Sequence, residues 1–523
     1  MTRRLPLARI WAFLAGGSLF FLWHGALLSP EGRIRGLTSD SAIVGLMGKK
    51  MLEGRGFDIF FWGQNYLGPF TAILIAAFGA DPLGLRLATL TLAAAGIMLT
   101  WAAIRPIDAR AATLTAIALA IGPSLLIRLM INPVGAEMSF FFSSLLLLIL
   151  VPMVDGHSTS PRRQFVLGVA AGIAWWMNQL VVFTLAAGAI VLFAQSRTFA
   201  NARARLRWHH SPILYAGLLW FAMFVALDLA GIMLPFLLGR STDWLLLILA
   251  PLLFSQLRDW RRWRGILDRD EIPGVLRVAA GGIIGYSPVW LGRLLGWFKP
   301  SYTVAFQADL PSGMLTTLRA FAQPAAEWIG VADGPAGLLF AISFAILLVA
   351  AIRNQRTPSR LMLALIPLGN FAVQIGARGT KMHYLIASTS ALFALAALGA
   401  CDLWDSRRRV ARTFCVVAGL FTAISLGLKA KAMHDDLLAK PDPTVLLTRV
   451  HQLHCAVCYS TTNAYLLRFV DQERCAWIPY RDQDRTPLDT QAMERMRGQR
   501  CLVDASDVML TAPLQRSAPF ARP

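Results

Sequence analysis

Charge is scarce in this chain, and acid is the scarcer sign. Only 15% of the 523 residues are charged, with 30 Asp and Glu against 50 Lys and Arg. An ordinary soluble domain is nearer a quarter charged, so that class is excluded. Cysteine is sparse too, six in all. There is no Gly-rich phosphate loop, internal repeat or low-complexity segment, and no Asp-x-Asp metal motif stands out in an outer loop between spans. What the chain has is apolar surface: 56% of it is hydrophobic and the mean hydropathy is +0.54. A disordered chain is therefore excluded as well.

A bilayer core about 30 Å thick takes about 20 apolar residues per helix. Thirteen candidate runs lie near 10–28, 83–104, 111–131, 134–153, 164–178, 180–195, 212–236, 242–257, 274–295, 335–352, 361–377, 384–401 and 412–428. The two short runs at 164–195 read as a hairpin turning at Asn178-Gln179. The first run is too long for a signal peptide and lacks a small-x-small site before Pro30. Arg-rich loops alternate along the chain, at Arg3 and Arg4, Arg105 and Arg110, Arg162 and Arg163, Arg203 to Arg207, Arg258 to Arg264, Arg353 to Arg360, and Arg407 to Arg409. The excess of basic residues on one side puts the N-terminus in the cytoplasm and the tail outside.

The tail, residues 430–523, carries 12 basic and 11 acidic residues, so about +19 of the net +20 belongs to residues 1–429. That charge is spread over many short loops rather than gathered with aromatics, which argues against nucleic acid as a partner. The tail reads as a small α/β domain, with strands at 456–459, 476–480 and 501–503 and a helix over 463–470 presenting Leu466, Phe469 and Val470. Its last dozen residues read as disordered. Cys455, Cys458, Cys475 and Cys501 all fall there. With His451 and His454 they resemble a zinc cluster, but an oxidising compartment favours disulfides, with Cys455 and Cys458 bridging to Cys475 and Cys501.

The first outer loop, 29–82, holds the strongest local pattern. After Thr38-Ser39-Asp40-Ser41, residues Ile43, Val44, Met47 and Met51 share one helical face opposite Lys49 and Glu53. Such a helix is expected to lie on the membrane. Asp40 at its start is either a helix N-cap or a general base that takes the proton of an attacking hydroxyl. A second apolar stretch, 70–78, reads as re-entrant. Arg128 lies near the outer end of its span, where charge is costly and functional.

An acid after the first span, an interfacial helix and then a second span resemble the GT-C class of membrane glycosyltransferases. The closer likeness is to the branch of the protein O-mannosyltransferases and the lipid A aminoarabinose transferase, glycosyltransferase family 39-like in bacteria. Asp40-Ser41-Ala42 with Leu52-Glu53-Gly54 is similar to that branch's Asp-Glu-Ala plus leucine-x-x-Gly pattern, with Ser41 in place of the second acid. Glu137, in Asn132-Pro133-Val134-Gly135-Ala136-Glu137, stands where the family carries another acid. Gly172-Ile173-Ala174-Trp175-Trp176, Arg378-Gly379-Thr380-Lys381-Met382-His383-Tyr384 and the tail segment 459–480 also resemble the family, though the Pro usual after that Tyr is missing.

The resemblance implies an all-α polytopic membrane protein with about thirteen spans and a small extracytoplasmic α/β domain, set in a bacterial inner membrane. It implies transfer of a sugar from a polyprenyl-phosphate-linked donor to an envelope acceptor, whether protein, lipid or glycan. Asp40 would be the catalytic base and Glu137 its helper. Arg378 and Lys381, with His383, Tyr384 and Arg128, would hold the donor phosphate as negative charge develops on it. For Arg378 and Lys381 the alternative is headgroup anchoring. Gln64, Asn65 and Tyr66 are candidates for sugar hydroxyls or plain turn residues, and interfacial anchoring is favoured for Trp175 and Trp176. No obligatory metal or cofactor is expected, although a divalent cation remains an option. The rival readings are a secondary transporter or lipid flippase, and a non-catalytic member of the same fold.

Overall fold

The computed structural model describes residues 17–61, 67–131, 137–156, 160–205, 268–295, 325–326, 328–354, 357–376, 382–406, 408–440, 443, 447–448, 455–460, 464–471, 476–479, 499–503 and 510–511. Helices dominate. In chain order they are α1 (Ser39–Leu52), α2 (Phe70–Ala77), α3 (Pro82–Ile104), α4 (Ala109–Ile121), α5 (Ser124–Ile131), α6 (Glu137–Val154), α7 (Pro161–Met177), α8 (Val182–Gln195), α9 (Arg197–Arg205), α10 (Ile272–Gly285), α11 (Ser287–Leu294), α12 (Pro335–Arg353), α13 (Pro358–Gly376), α14 (Thr389–Asp405) and α15 (Arg409–Ala439). Their starts follow capping chemistry. Asp81 accepts from Gly84 N ahead of Pro82, Asp108 accepts from Arg110 N and Ala111 N, and Ser160 accepts from Arg163 N ahead of Pro161.

Among the described residues, five helices are long and apolar enough to cross a membrane: α3, α6, α12, the segment Leu385–Asp405, and α15. The pair α4 and α5, bent by 47° at Gly122-Pro123, is together apolar enough for a sixth, whether as one broken span or as a re-entrant pair. The expected runs at 212–236 and 242–257 lie outside the described residues. Asn178 breaks the chain between α7 and α8, its side chain accepting from Leu180 N. The apolar stretch 70–78 forms only the eight-residue α2, about 12 Å long and too short to span.

One end of the bundle is laced by polar contacts. Arg110 pairs with Asp405 at 2.6 Å, and Arg360 with Asp402 at 2.6 Å. Asp155 accepts from Ser359 N at 3.1 Å, Gln195 donates to Val154 O at 2.9 Å, and Glu271 accepts from Arg197 N and the Thr198 hydroxyl at 2.7 Å each. Arg110 and Arg360 thus lie at one end of the bundle, with Asp402 and Asp405. Inside the bundle the hydroxyls of Thr100, Ser144 and Ser390 meet at 2.9 Å, joining α3, α6 and α14. Between spans, where apolar burial separates helices from lipid only weakly, such contacts and close packing hold the assembly.

The α7/α10 crossing is packed backbone against backbone. Gly168 and Gly172 on α7 face Gly281 and Gly285 on α10, four residues apart on each helix. A Cβ at any of them would collide with a backbone carbonyl of the other helix, Val278, Gly282, Phe165 or Val169. This small-xxx-small pattern was present in the sequence without being read there.

Beyond α15, which runs through the 429/430 boundary, four strands form a sheet of order β2-β1-β3-β4. They are β1 (Cys455–Ser460), β2 (Ala476–Pro479), β3 (Gln499–Val503) and β4 (Leu510–Thr511). β1 is parallel to β2 and β3, and β4 is antiparallel to β3. Helix α16 (Ala464–Val470) connects β1 to β2 and packs on α1, with buried Leu466 and Phe469 in one cluster with Ala42, Val44 and Met47. Helix α1 is covered by protein on two sides, by α16 and by α2. The reason is visible in its sequence: Leu46 and the small residues Gly45 and Gly48 extend its packable surface well beyond the four-residue apolar face.

Replacing Gly172 by Leu is expected to lower the thermal unfolding midpoint of the detergent-solubilised protein, with a destabilisation of about 1–3 kcal/mol. Gly427→Leu, at a position where a Cβ meets nothing within 4 Å, is expected to leave the midpoint unchanged.

Candidate functional site

At the other end of the bundle the chemistry-bearing segments are organised by one residue that sequence reasoning passed over. Arg86, in the first turns of α3, is completely buried at 0% exposure. Its guanidinium donates to Met130 O at 3.0 Å and to Ile131 O, the last carbonyls of α5. It also donates to Gly32 O at 3.1 Å and Arg35 O at 2.8 Å in the turn that leads into α1. The end of a helix leaves carbonyls without intrahelical partners and carries partial negative charge. A planar, multiply donating cation answers both needs.

The break in the same span is treated in the same way. Among the carbonyls at the end of α4, Ile121 O accepts from the Trp23 indole at 2.9 Å and Ala120 O lies 3.2 Å from His24 Nε2. With Nε2 donating to that carbonyl, neutral His24 presents Nδ1 as an acceptor. It faces His434 Nε2 on α15 at 3.3 Å, which must then be the donor.

Asp40 is half-buried in the first turn of α1. Of its two sequence readings, the N-cap is taken by another residue: Thr38 caps the helix, in a capping box closed by Ser41. Ser41, the departure from the family pattern, thus has a structural task. Asp40 is held by backbone that the cap orients, where an acid is favoured by the helix dipole. Helix α2, packed on α1, supplies Thr71, whose hydroxyl donates to Glu137 Oε1 at 2.8 Å. Glu137 opens α6 and is buried at 4% exposure. The two acids thus sit at the starts of α1 and α6, with α2 between those helices.

Arg128 lies on α5 and lines a cavity of about 320 Å³ with Thr38, Ser124, Lys429, Asp436 and Lys440. The 3-10 segment Met382–Ser388 packs against both α5 and α6. His383 and Tyr384 belong to that segment. Arg378, Lys381, Gln64, Asn65 and Tyr66 lie outside the described residues, as do His451, His454 and Cys475. Trp176 is buried, with its indole N–H donating to Ile59 O at 2.9 Å, which ties the segment between α1 and α2 to α7. Gly68 N donates to Met177 O at 2.8 Å in the same seam.

Arg86 and Thr71 are the site residues that sequence reasoning missed. For Arg86 a signal existed: a lone charge inside an apolar run, near its outer end, the reasoning already applied to Arg128. For Thr71 there was none, because a hydroxyl in an apolar helix is unremarked until its partner is known.

No family model matches the chain, and no curated protein matches it. Solved structures do. ArnT from Cupriavidus metallidurans bound to undecaprenyl phosphate is similar over 94% of this chain and 88% of its own, with a TM-score of 0.53 at 14% identity. The apo state of the same protein is similar over 90% and 85%, with a TM-score of 0.50 at 12% identity. The Archaeoglobus fulgidus oligosaccharyltransferase reaches a TM-score of 0.47 at 16% identity, over 88% of this chain and 64% of its own. The fold of the chain is the GT-C membrane fold.

Arg86→Met is expected to destabilise the protein by on the order of 3 kcal/mol, because it strands several buried carbonyls. Arg86→Lys is expected to recover only part of that, since an ammonium cannot span four acceptors on two segments. Thermal unfolding of the two variants side by side checks the order.

Proposed function

We propose that this chain is a membrane glycosyltransferase that moves a sugar from a polyprenyl-phosphate-linked donor to an envelope acceptor on the outer face of the membrane, with inversion at the sugar. Residues 1–429 form the multi-span transferase part, in a bacterial inner membrane with the N-terminus in the cytoplasm. Residues 430–523 form a small outer domain. The observation that carries the reading is a half-buried acid, Asp40, in the first turn of α1 and a buried acid, Glu137, at the start of α6, where Thr71 of α2, the helix packed on α1, bonds to Glu137. The GT-C fold supports it, and so does the undecaprenyl phosphate bound in a solved structure of the same fold.

In this reading Asp40 takes the proton of the acceptor hydroxyl as that oxygen attacks the sugar carbon and the bond to the donor phosphate breaks. Glu137, fixed by Thr71, orients the acceptor. The leaving phosphate gains charge, which Arg378 and Lys381 stabilise, with His383 and Tyr384 contributing hydrogen bonds. Gln64, Asn65 and Tyr66 contact sugar hydroxyls. No metal is required, because cationic side chains supply the charge that a lipid-phosphate leaving group needs.

Purified protein given a labelled polyprenyl-phosphate sugar and envelope extract is expected to transfer label. Asp40→Asn is expected to lower that rate by about 10²-fold or more while the donor still binds. Glu137→Gln keeps an oxygen for Thr71 to donate to and is expected to cost less. Unchanged turnover in Asp40→Asn would remove Asp40 from the mechanism.

A further inference from the structure

At the laced end Arg110 is matched by Asp405 and Asp108, and Arg360 by Asp402. Arg162 and Arg163, at the start of α7, differ: among the described residues neither guanidinium has an ion pair or a hydrogen-bond partner. Both line a cavity of about 590 Å³, a size typical of ligand pockets. Its wall is apolar and built from three helices: Ala102 on α3, Leu148, Ile149 and Pro152 on α6, and Val166 on α7. No acid among the described residues lines it. The acids that precede and follow it in sequence are already used. Asp108 caps α4 and pairs with Arg110, and Asp155 accepts from Ser359 N. Arg105, next to the lining Pro106, lies over the Trp101 ring at 5.2 Å and adds a third cation without an ion pair among the described residues.

Guanidiniums without a counter-charge call for an anion, and their planar fork suits a phosphate. The apolar wall belongs to helices long enough to cross a membrane, α3 and α6, and Val166 is 44% exposed. A soluble anion makes no use of that wall, and a lipid without net charge makes poor use of the arginines. We propose that this cavity binds an anionic glycerophospholipid, with its phosphodiester against Arg162 and Arg163 and an acyl chain along Leu148, Ile149 and Val166. Basic pockets between membrane helices take such headgroups. The place is remote from the acids of the proposed transferase site, because Glu137 and Pro152 lie toward opposite ends of α6, about 22 Å apart along its axis. None of the residues proposed for catalysis or for the donor lines it. The ligand is a resident membrane lipid, neither sugar donor nor acceptor, and the site stands whether or not the chain transfers sugar.

Thermal unfolding of the full chain in detergent, titrated with phosphatidylglycerol, phosphatidylcholine, glycerol 3-phosphate or a prenyl phosphate, tests the site. Phosphatidylglycerol is expected to raise the midpoint saturably, as a ligand of the folded chain does, and phosphatidylcholine and glycerol 3-phosphate to leave it unchanged. Arg162→Gln with Arg163→Gln should raise the half-maximal phosphatidylglycerol concentration about tenfold or more. Val166→Trp, which fills the wall at an exposed position and keeps both charges, should also raise it. Arg408→Gln with Arg409→Gln removes the same charge at the same end and should titrate like the parent. If the Arg162 and Arg163 variant does not fold, Val166→Trp decides. The proposal is overturned if phosphatidylcholine or glycerol 3-phosphate gives the same shift, or if the Arg162 and Arg163 variant folds and titrates like the parent. An equal loss in the Arg408 and Arg409 variant overturns it too, since that reports diffuse charge. A prenyl phosphate that shifts the parent more than phosphatidylglycerol does, and does so through Arg162 and Arg163, makes the occupant a different lipid and overturns the assignment.

Discussion

A broken span in a membrane must satisfy its loose backbone groups from within the protein, because lipid offers no partners. Helices α4 and α5 are separated by a bend of 47° at Gly122-Pro123, and the end of the bundle that carries Arg86 is arranged around that fact. Trp23 and His24 engage the carbonyls where α4 stops. Arg86 takes the carbonyls where α5 stops with one terminal nitrogen and holds the turn before α1 with the other. The element with Arg128 and the loop that leads to Asp40 are thus registered against each other by one buried guanidinium. Burying a charge that way is expensive unless it is well paired, and four carbonyls converge on its two terminal nitrogens, while Nε has no partner.

The opposite end is built on a different principle. There the connections are ion pairs and side-chain caps between loops, Arg110 with Asp405 and Arg360 with Asp402 among them. The middle depends on contact distance, through the glycine crossing of α7 and α10 and the hydroxyl cluster on α3, α6 and α14. These arrangements divide the work. The laced end fixes which loops share a side, the middle fixes helix spacing, and the Arg86 end fixes a site.

Much of this was legible in the chain. The apolar runs at 83–104, 335–352 and 412–428 coincide with helices, as do the two short runs that meet at Asn178, because apolar length and polar punctuation are local properties. The tail's short strand and helix candidates coincide with elements too. Asp40 stood out as an acid at the start of a helical pattern, and Glu137 through the position at which the resembling family carries another acid. Less legible was the covering of α1 by α16, since a face that packs on protein and one that rests on lipid have the same residue types. The glycine crossing and the Thr71–Glu137 bond were opaque for a related reason: each needs a partner more than sixty residues away.

Composition and periodicity by themselves established a multi-pass membrane protein, the alternation of its basic loops, and a first outer loop carrying an acid at the start of a helix. Those follow from hydrophobic length, charge and capping, all of which act over a few residues. Tertiary structure alone decided that Thr38 caps α1, so that Asp40 does not, that Glu137 is held by Thr71, and that Ser124 and Arg128 face Lys429 and Lys440. Each of these is a matter of distance between segments remote in sequence, and it is set by where the carbonyls of a broken helix find a buried arginine.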